Sequence, residues 1–514
     1  MGYTVMIGKP DAEQSNEDSM LEKVNVHIGV FFDGTGNNMM NIKERNEYVS
    51  RKLKYEKRDK YYKSNDSHLN GFSNVANLYS IYNINEGEYK FAVYVEGIGT
   101  APRALIDPSQ YPDNYFYENG IYGDSLFGQA LGIGAYGVNG KIESACKKIV
   151  SILTSIREKY PNPIEIQLTF NVFGFSRGAA AARSFTSRIK SMKGDTVKLS
   201  SVVKNALINS SYNFMQTLDY TVTEEYDYKV CLSDLLKESG FDVSDTMKVE
   251  FLGLYDTVSS YGVSFNDDVK ELALTIDKSV VKKVFQICAA DEYRRNFSLT
   301  LVNLNSPEEE NYIIPGAHSD IGGGYSENME EKYILYRNVH QNYSSPIVMN
   351  YSSYMNYSPN IENIYAGNKT KEELENDGWF DENDIKNGVR YVDNKYCYIA
   401  LNLMIEKIES SFIKNKTEFN MEEEDMKDLK DFYEIVKNTK LYDFVVEKGK
   451  KRIKRNTNRV DDDLMKRIRH TYLHLSAKGE PWRKIIFNPC SIFEDKRFVN
   501  AARPGNIRKI IENA

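Results

Sequence analysis

A pentapeptide, Gly-Phe-Ser-Arg-Gly centred on Ser176, constrains the fold of this chain more than any other stretch. It follows the apolar run at residues 166–173 and leads into four alanines at 179–182. This order predicts a strand, a sharp turn and a helix, which is the setting that exposes a nucleophilic serine. The turn forces the serine towards positive φ and brings the two backbones close together, so glycine is expected at Gly174 and Gly178. The simpler alternative is a glycine-flanked turn that carries an inert serine.

Further apolar strands lie on both sides of this turn, with helical segments between them. Strands are predicted at residues 24–32, 91–95, 166–173, 249–255, 284–289 and 311–315, and helices at 74–82 and 142–157. Strands that alternate with helices favour an α/β fold with a mainly parallel, doubly wound sheet of the α/β-hydrolase type. In such a sheet the chemistry gathers at the carboxyl ends of the strands.

The changing character of the sequence predicts four parts. Residues 1–20 are a polar N-terminal extension, and residues 21–345 form the α/β-hydrolase catalytic domain. Residues 346–470 form an additional helical module, predicted from apolar residues at helical spacing. Its apolar stripes are more typical of a core than of a membrane-docking surface, and a role as a lid or membrane contact stays open. Residues 471–514 form a C-terminal segment that packs back on the catalytic domain.

Charge and cysteine content exclude several classes of protein. The net charge of −7 on 514 residues provides no field that would attract nucleic acid. The five cysteines are scattered without metal-ligand spacing, and the glycine-rich stretches lack the ending of a nucleotide-binding loop, so no metal and no other cofactor is predicted. The N-terminus lacks the features of a signal peptide, and no apolar run reaches the roughly 18 residues of a membrane span. We expect synthesis in a reducing cytoplasm, with any export carried out by a dedicated machine.

A serine nucleophile needs a base, and the chain has only six histidines. His318 follows a short predicted strand and stands in the stretch Gly-Ala-His-Ser-Asp-Ile-Gly-Gly-Gly-Tyr at 316–325. Glycines let the backbone approach a site closely, which a packing histidine would not require. The other histidines lie in strand, helix or polar-loop patterns without such a setting. His318 is therefore the predicted base.

The base needs a carboxylate that orients it, and in this fold that residue usually follows a strand and lies between the serine and the histidine. Asp256 meets both conditions, directly after the predicted strand at 249–255. Three competitors remain open: Asp320, two residues after the histidine, and Asp291 and Glu292, which follow the next strand. Asp320 has a second interpretation as a supporting residue that braces the glycine-rich loop.

Two backbone amides are needed to receive the oxyanion that forms during acyl transfer. One is predicted to be that of Arg177, which follows the nucleophile at the N-terminus of a helix. The second is expected from Gly34 or Thr35, in a turn-forming stretch that begins with the supporting residue Asp33. An ordinary turn without a catalytic role explains that stretch equally well.

Taken together, five sequence blocks resemble one known family. They are Phe-Phe-Asp-Gly-Thr-Gly-Asn-Asn at 31–38, Gly-Ile-Gly-Thr at 97–100, Gly-Phe-Ser-Arg-Gly-Ala at 174–179, Gly-Leu-Tyr-Asp-Thr-Val at 253–258 and the glycine-rich stretch at 316–325. The family is that of the type VI secretion phospholipase effectors of the first lipase class, which have an α/β-hydrolase domain. Tyr255 stands where the family commonly has a tryptophan before its catalytic aspartate.

The resemblance implies a phospholipase A activity that cleaves a fatty acyl ester of a glycerophospholipid. Ser176, Asp256 and His318 would carry it through an acyl-enzyme intermediate, without a metal. The resemblance also implies an antibacterial toxin, made in a bacterial cytoplasm and injected into the periplasm or membrane of a rival cell. The implied partners are membrane phospholipid, a cognate immunity protein and a type VI secretion spike or delivery protein.

Two other functions are compatible with the same residues. A soluble carboxylesterase, thioesterase or acyltransferase would use the same triad on another substrate. A non-catalytic binding protein would keep the fold without the chemistry.

Overall fold

The protein is described by a computed structural model, and all of the predicted site residues lie in its described part. That part comprises residues 4–7, 22–51, 66–100, 137–159, 164–189, 198–207, 216–225, 231–243, 247–261, 266–267, 272–294, 296–304, 306–332, 371–387, 389–415, 419–456, 460–475 and 508–512. Residues 346–370 of the predicted helical module and residues 476–507 of the predicted C-terminal segment lie outside it.

Strands occur along the whole of the described chain. They are β1 (Thr4–Ile7), β2 (Glu22–Phe32), β3 (Lys90–Val95), β4 (Ile164–Phe175), β5 (Lys198–Leu207), β6 (Gln216–Glu225), β7 (Asp242–Val243), β8 (Lys248–Tyr255), β9 (Ser260–Tyr261), β10 (Asn266–Asp267), β11 (Val284–Ala289), β12 (Leu299–Thr300), β13 (Glu309–Ile314), β14 (Met329–Lys332), β15 (Val389–Val392), β16 (Tyr442–Glu447), β17 (Lys450–Arg455) and β18 (Ile510–Ile511).

Helices of very different lengths connect these strands. They are α1 (Met39–Ser50), α2 (Asp66–Leu69), α3 (Asn74–Ile81), α4 (Val138–Lys159), α5 (Arg177–Ser187), α6 (Leu232–Glu238), α7 (His318–Gly322), α8 (Lys371–Asn376), α9 (Glu382–Asn387), α10 (Cys397–Lys407), α11 (Lys427–Asn438) and α12 (Asp462–Tyr472). Among the described residues, no helix is both long and apolar enough to cross a membrane.

A mainly parallel sheet forms the centre of the fold, as predicted. Its parallel strands lie in the order β3–β2–β4–β8–β11–β13. The short strand β1 pairs antiparallel with the start of β4, and β7 pairs antiparallel with β1. The chain moves outward from β2 to β3, returns to the other side of β2 as β4, and then continues outward through β8. This change of direction places a topological switch point between β2 and β4, where ligands bind in open sheets of this kind.

The side chains of the central strands alternate between two apolar cores, one on each face of the sheet. Helices therefore cover both faces. Phe173 and Phe251 point into a core that includes apolar residues of α3 and α10. Val172 and Leu252 point into a second core with residues of α4 and α5. The result is a three-layer α/β fold, in which strands buried on both faces are apolar over most of their length.

Two segments have structure that their sequence patterns did not reveal. Thr4–Ile7, within the predicted polar extension, forms β1 and pairs with the start of β4. Helix α10, within the predicted helical module, packs closely on the sheet. The sulfur of Met404 in this helix is so near to β8 that a Cβ atom added to Gly253 would lie only 2.8 Å from it. The predicted module also contains strands, namely β15 and the hairpin of β16 and β17. An apolar stripe on a helix indicates burial but does not identify the surface that buries it.

Candidate active site

Ser176 occupies the turn between β4 and α5. Its φ of 60° and ψ of −127° lie in a region that residues other than glycine rarely adopt, so the surrounding structure must hold it there. The neighbouring glycines allow the backbones to approach. A Cβ at Gly174 would lie 2.5 Å from the carbonyl oxygen of Gly178, and a Cβ at Gly178 would lie 2.2 Å from that of Asp33. The turn therefore has the form of a strained nucleophile elbow.

Asp256 and His318 meet at the carboxyl edge of the same sheet. Nδ1 of His318 is 2.5 Å from Oδ2 of Asp256, and both side chains are buried. The backbone of Ser176 is joined to the segment that carries Asp256, since its amide donates to the carbonyl of Tyr255 at 3.0 Å and its carbonyl accepts from the amide of Val258 at 3.3 Å. The structure thus brings the three residues predicted for the triad to one edge of the sheet.

The imidazole of His318 is held between two aromatic rings. Its centroid lies 4.6 Å from that of Phe175, the residue before Ser176, and 5.0 Å from that of Phe297. Its Nε2 atom is buried and has no hydrogen-bond partner in the described part of the chain, so no hydrogen bond joins it to Ser176 in this structure. Catalytic hydrogen bonds of this type often tighten only when substrate is bound. With Nδ1 directed at the carboxylate, Nε2 is the nitrogen left to accept a proton.

Two of the competing carboxylates brace the loop of His318 instead of its ring. Asp291 accepts a hydrogen bond from the amide of Gly316 at 2.8 Å. Glu292 is fully buried and forms an ion pair with Arg294 at 2.8 Å. Its carboxylate also accepts a hydrogen bond from the backbone amide of His318 at 3.3 Å. These contacts fix the path of the backbone that presents the imidazole.

The third competitor, Asp320, forms a separate buried pair with His474. Its Oδ1 is 2.7 Å from Nδ1 of His474, whose ring stacks on Tyr325 with centroids 3.7 Å apart. Its Oδ2 accepts a hydrogen bond from the backbone amide of Ala317, the residue before His318, at 2.8 Å. Asp320 therefore links the first turn of α7 to the segment after α12, in agreement with the bracing interpretation. The sequence pattern did not indicate His474 as its partner.

Arg508 is a site residue that the sequence did not reveal. It lies 252 residues after Asp256 in the chain, yet its two terminal nitrogens are each 2.7 Å from one carboxylate oxygen of that residue. Burial alone would raise the pKa of Asp256, but Arg508, together with His318, holds it well below its usual range. A single arginine outside any motif gives no sequence signal, so only the folded structure identifies it.

The predicted oxyanion amides differ in their availability. The amide of Gly34 donates to Oδ1 of Asp33 at 2.7 Å and is therefore engaged. The amide of Thr35 has no acceptor in the described part of the chain. Arg177 is the first residue of α5, where amides have no acceptor within the helix, and its Nε donates to Oγ1 of Thr35 at 2.9 Å. Of the two loop amides, that of Thr35 is thus better suited to receive an oxyanion than that of Gly34.

Asp33 anchors the loop that carries Thr35. Its carboxylate is buried and accepts hydrogen bonds from the hydroxyls of Ser73 at 2.6 Å and Tyr94 at 2.5 Å, in addition to the amide of Gly34. Burial raises the pKa of Asp33 to about 6, although these hydrogen bonds oppose the increase. The residue supports the loop and does not reach the triad.

One group of metal-ligating side chains occurs within the described residues, and it shares no residue with this site. Asp381, Asp384 and His470 have potential ligand atoms within 4.8 Å of one another at the protein surface. The two aspartates accept each other's backbone amides at 2.8 and 3.1 Å, which is the reciprocal bonding of a helix N-terminus. Nε2 of His470 lies 2.7 Å from Oδ2 of Asp384. These contacts account for the cluster without an ion.

Comparisons with known proteins place the chain in a family. A family model described as the catalytic domain of Tle1-like phospholipase effectors of the type VI secretion system matches residues 27–348. The comparison with curated proteins finds no match.

Two solved structures are similar to the chain at low sequence identity. One is described as the Tle1 effector bound to the VgrG spike from the type VI secretion system, with 18% identity, a TM-score of 0.49 and coverage of 99% of each chain. The other is an uncharacterized protein from Pseudomonas aeruginosa, with 19% identity, a TM-score of 0.28 and coverage of 59% of this chain and 42% of that one. Since the family model spans more than half of the sequence, the chain belongs to the Tle1-like phospholipase effectors of the type VI secretion system.

Proposed function

We propose that the protein is a serine phospholipase of the A type, which cleaves a fatty acyl ester of membrane glycerophospholipids. Membership in the family supports a phospholipase effector function and, with it, ester hydrolysis. The serine mechanism is supported above all by the 2.5 Å contact between Asp256 and His318 beside the strained turn at Ser176. A buried carboxylate on Nδ1 holds the imidazole in the tautomer that leaves Nε2 free to act as a base.

In the proposed reaction, the Ser176 hydroxyl attacks the ester carbonyl while Nε2 of His318 takes its proton. The amides of Thr35 and Arg177 receive the negative charge of the tetrahedral intermediate. His318 then returns the proton to the departing lysophospholipid oxygen, which leaves an acyl group on the serine. A water that His318 deprotonates attacks this ester. The second intermediate collapses to fatty acid as His318 returns the proton to the oxygen of Ser176, which restores the free enzyme. Asp256 stays ionised throughout and stabilises the imidazolium.

The same family assignment supports a proposal about how the protein reaches its target cell and how the producing cell is protected from it. Because the family consists of type VI secretion effectors, we propose that a spike protein of that system carries this chain into the periplasm or membrane of a rival bacterium. The producing cell would then need an immunity protein that blocks the site.

Product analysis tests the proposed substrate class and bond. Purified protein is incubated with vesicles of phosphatidylethanolamine and phosphatidylglycerol whose two acyl chains differ in length, and the lipids are analysed by mass spectrometry. We expect a free fatty acid and the matching lysophospholipid, and the chain that is released identifies the acyl position.

Other products would contradict parts of the proposal. Diacylglycerol or phosphatidic acid would show cleavage of a phosphate ester and would exclude acyl hydrolysis. Turnover of short p-nitrophenyl esters with intact vesicles would indicate a soluble carboxylesterase. A protein that neither hydrolyses esters nor reacts with a fluorophosphonate at Ser176 would be a binding protein on this fold.

The acid limb of the pH profile provides a further prediction. Burial lowers the pKa of His318 below its ordinary value of 6.5, although the Asp256 carboxylate raises it. The base must be neutral, so activity is complete above this pKa and is lost as the pH falls through it. We expect the midpoint of kcat/KM on a soluble ester to lie below pH 6.5. Circular dichroism over the same range separates titration from unfolding, and a midpoint above that value in folded protein would contradict the expected lowering of the pKa of His318.

A further inference from the structure

The last described segment of the chain is built into the wall of the candidate site. Strand β18 pairs in parallel with β12. The amide of Leu299 donates to the carbonyl of Lys509 at 2.9 Å, and the amide of Leu301 donates to that of Ile511 at 3.0 Å. This pairing fixes the register of the segment, so the side chain of Arg508 enters the interior at one defined place.

Most hydrogen-bond donors of the Arg508 guanidinium have acceptors near the carboxyl edge of the sheet. Its two terminal nitrogens bind both oxygens of Asp256 at 2.7 Å each. One of them also donates to the carbonyl of Ala289 at 3.1 Å, and Nε donates to that of Phe297 at 2.8 Å. The residue is only 5% exposed. A two-pronged contact of this kind fixes the plane of a carboxylate as well as its charge.

The carboxylate of Asp256 therefore has one orientation open to it. Oδ1 accepts from Arg508 and from the amide of Ala289 at 2.8 Å, while Oδ2 accepts from Arg508 and from His318. Rotation of the carboxylate would disturb its contacts with the guanidinium and with the imidazole together, because both bind Oδ2. A buried carboxylate without a compensating cation would favour its protonated form, which is a poorer partner for an imidazolium.

We propose that Arg508 is a positioning residue of the reaction, so that the catalytic site is complete only when the C-terminal strand β18 is docked on β12. The proposal rests on the serine mechanism proposed above. Arg508 acts through Asp256, which it keeps ionised and in the plane required by Nδ1 of His318. The C-terminal segment is thus part of the catalytic apparatus, although it lies outside the residues matched by the family model.

Kinetics of Arg508→Met and Arg508→Lys on a soluble short-chain ester test this role. For Arg508→Met we expect kcat to fall on the order of 100-fold with little change in KM, because orientation of the base is lost while the acyl pocket is untouched. Arg508→Lys restores charge but not the two-pronged contact and is expected to recover part of the loss. Lys427→Met is the control, since it removes the same charge from an exposed position on α11, outside the segment that docks on β12, and should retain wild-type kcat.

The pH profile separates positioning from a merely structural role. The charged or titratable groups that face the imidazole and its carboxylate are Asp256, Glu292, Arg294, Arg508 and Cys288. Without the Arg508 cation the pKa of Asp256 should rise, and since activity requires an ionised Asp256 as well as a neutral His318, the acid limb of kcat/KM should move to higher pH. A folded Arg508→Met protein with wild-type kcat and an unchanged acid limb would overturn the proposal.

A double variant keeps the test decisive if Arg508→Met alone is too unstable. Arg508→Met combined with Asp256→Asn leaves no buried carboxylate without its counter-charge. Its kcat should equal that of Asp256→Asn alone if Arg508 acts only through Asp256. A further fall in kcat in the folded double variant would show another role. Wild-type hydrolysis and fluorophosphonate labelling of Ser176 are measured in parallel. If these fail, the serine mechanism is wrong; if they succeed and the Arg508 variants behave as wild type, only the present inference is wrong.

Discussion

Replacement of Ser176 by alanine is expected to reduce kcat for phospholipid hydrolysis by at least about 1,000-fold, because no other group at the turn can form the acyl-enzyme. The folded state should change little. The serine hydroxyl does not cap the helix that follows, and alanine has the same difficulty as serine with a φ of 60°. We expect the free energy of unfolding to stay within about 1 kcal/mol of the wild-type value.

The measurement compares fatty acid release from vesicles with thermal unfolding of the same preparations. Ser80→Ala is a suitable control, since Ser80 is exposed on α3 and its hydroxyl donates a hydrogen bond to the carbonyl of Asn77 in its own helix. Vesicle hydrolysis by folded Ser176→Ala at the wild-type rate would exclude the serine mechanism. Equal loss of activity and of unfolding temperature would leave the serine with a structural role instead.

Asp256→Asn is expected to reduce kcat by about 1,000- to 10,000-fold and to destabilise the protein at the same time. The amide cannot hold the Nδ1–H tautomer of His318 as a carboxylate does. It also leaves the buried guanidinium of Arg508 without its counter-charge, and removal of one partner of a buried ion pair costs about 3–5 kcal/mol. Thermal unfolding and kcat, each measured where the variant is fully folded, separate the two effects.

Asp320→Asn distinguishes the two aspartates nearest to the base. Asp320 is buried like Asp256, but its oxygens bind His474 and the amide of Ala317. We expect a loss of stability with a much smaller fall in kcat than in Asp256→Asn. If Asp320→Asn instead had the larger effect on kcat at equal folded fraction, Asp256 would not be the orienting carboxylate.

The elements of the central sheet could be predicted from the sequence to within a few residues. The strand predicted at 284–289 is Val284–Ala289, and that at 249–255 is Lys248–Tyr255. Strands buried on both faces are continuous apolar runs, so their signal is local. The antiparallel strand β1 and the packing of α10 on the sheet were not predictable, because short strands and apolar helix stripes do not specify their partners.

The sequence by itself determined the turn at Ser176 and the loop of His318. Close backbone approach and positive φ require glycine or another permissive residue at particular positions, and these residues are recognisable in a short stretch of sequence. Only the tertiary structure decided which carboxylate reaches the imidazole, which loop amide lacks an acceptor among the described residues, and that Arg508 binds this carboxylate. Asp256, His318 and Arg508 come from distant parts of the chain. Their meeting depends on the order of strands in the sheet and on the docking of the C-terminal strand, and no local pattern encodes either.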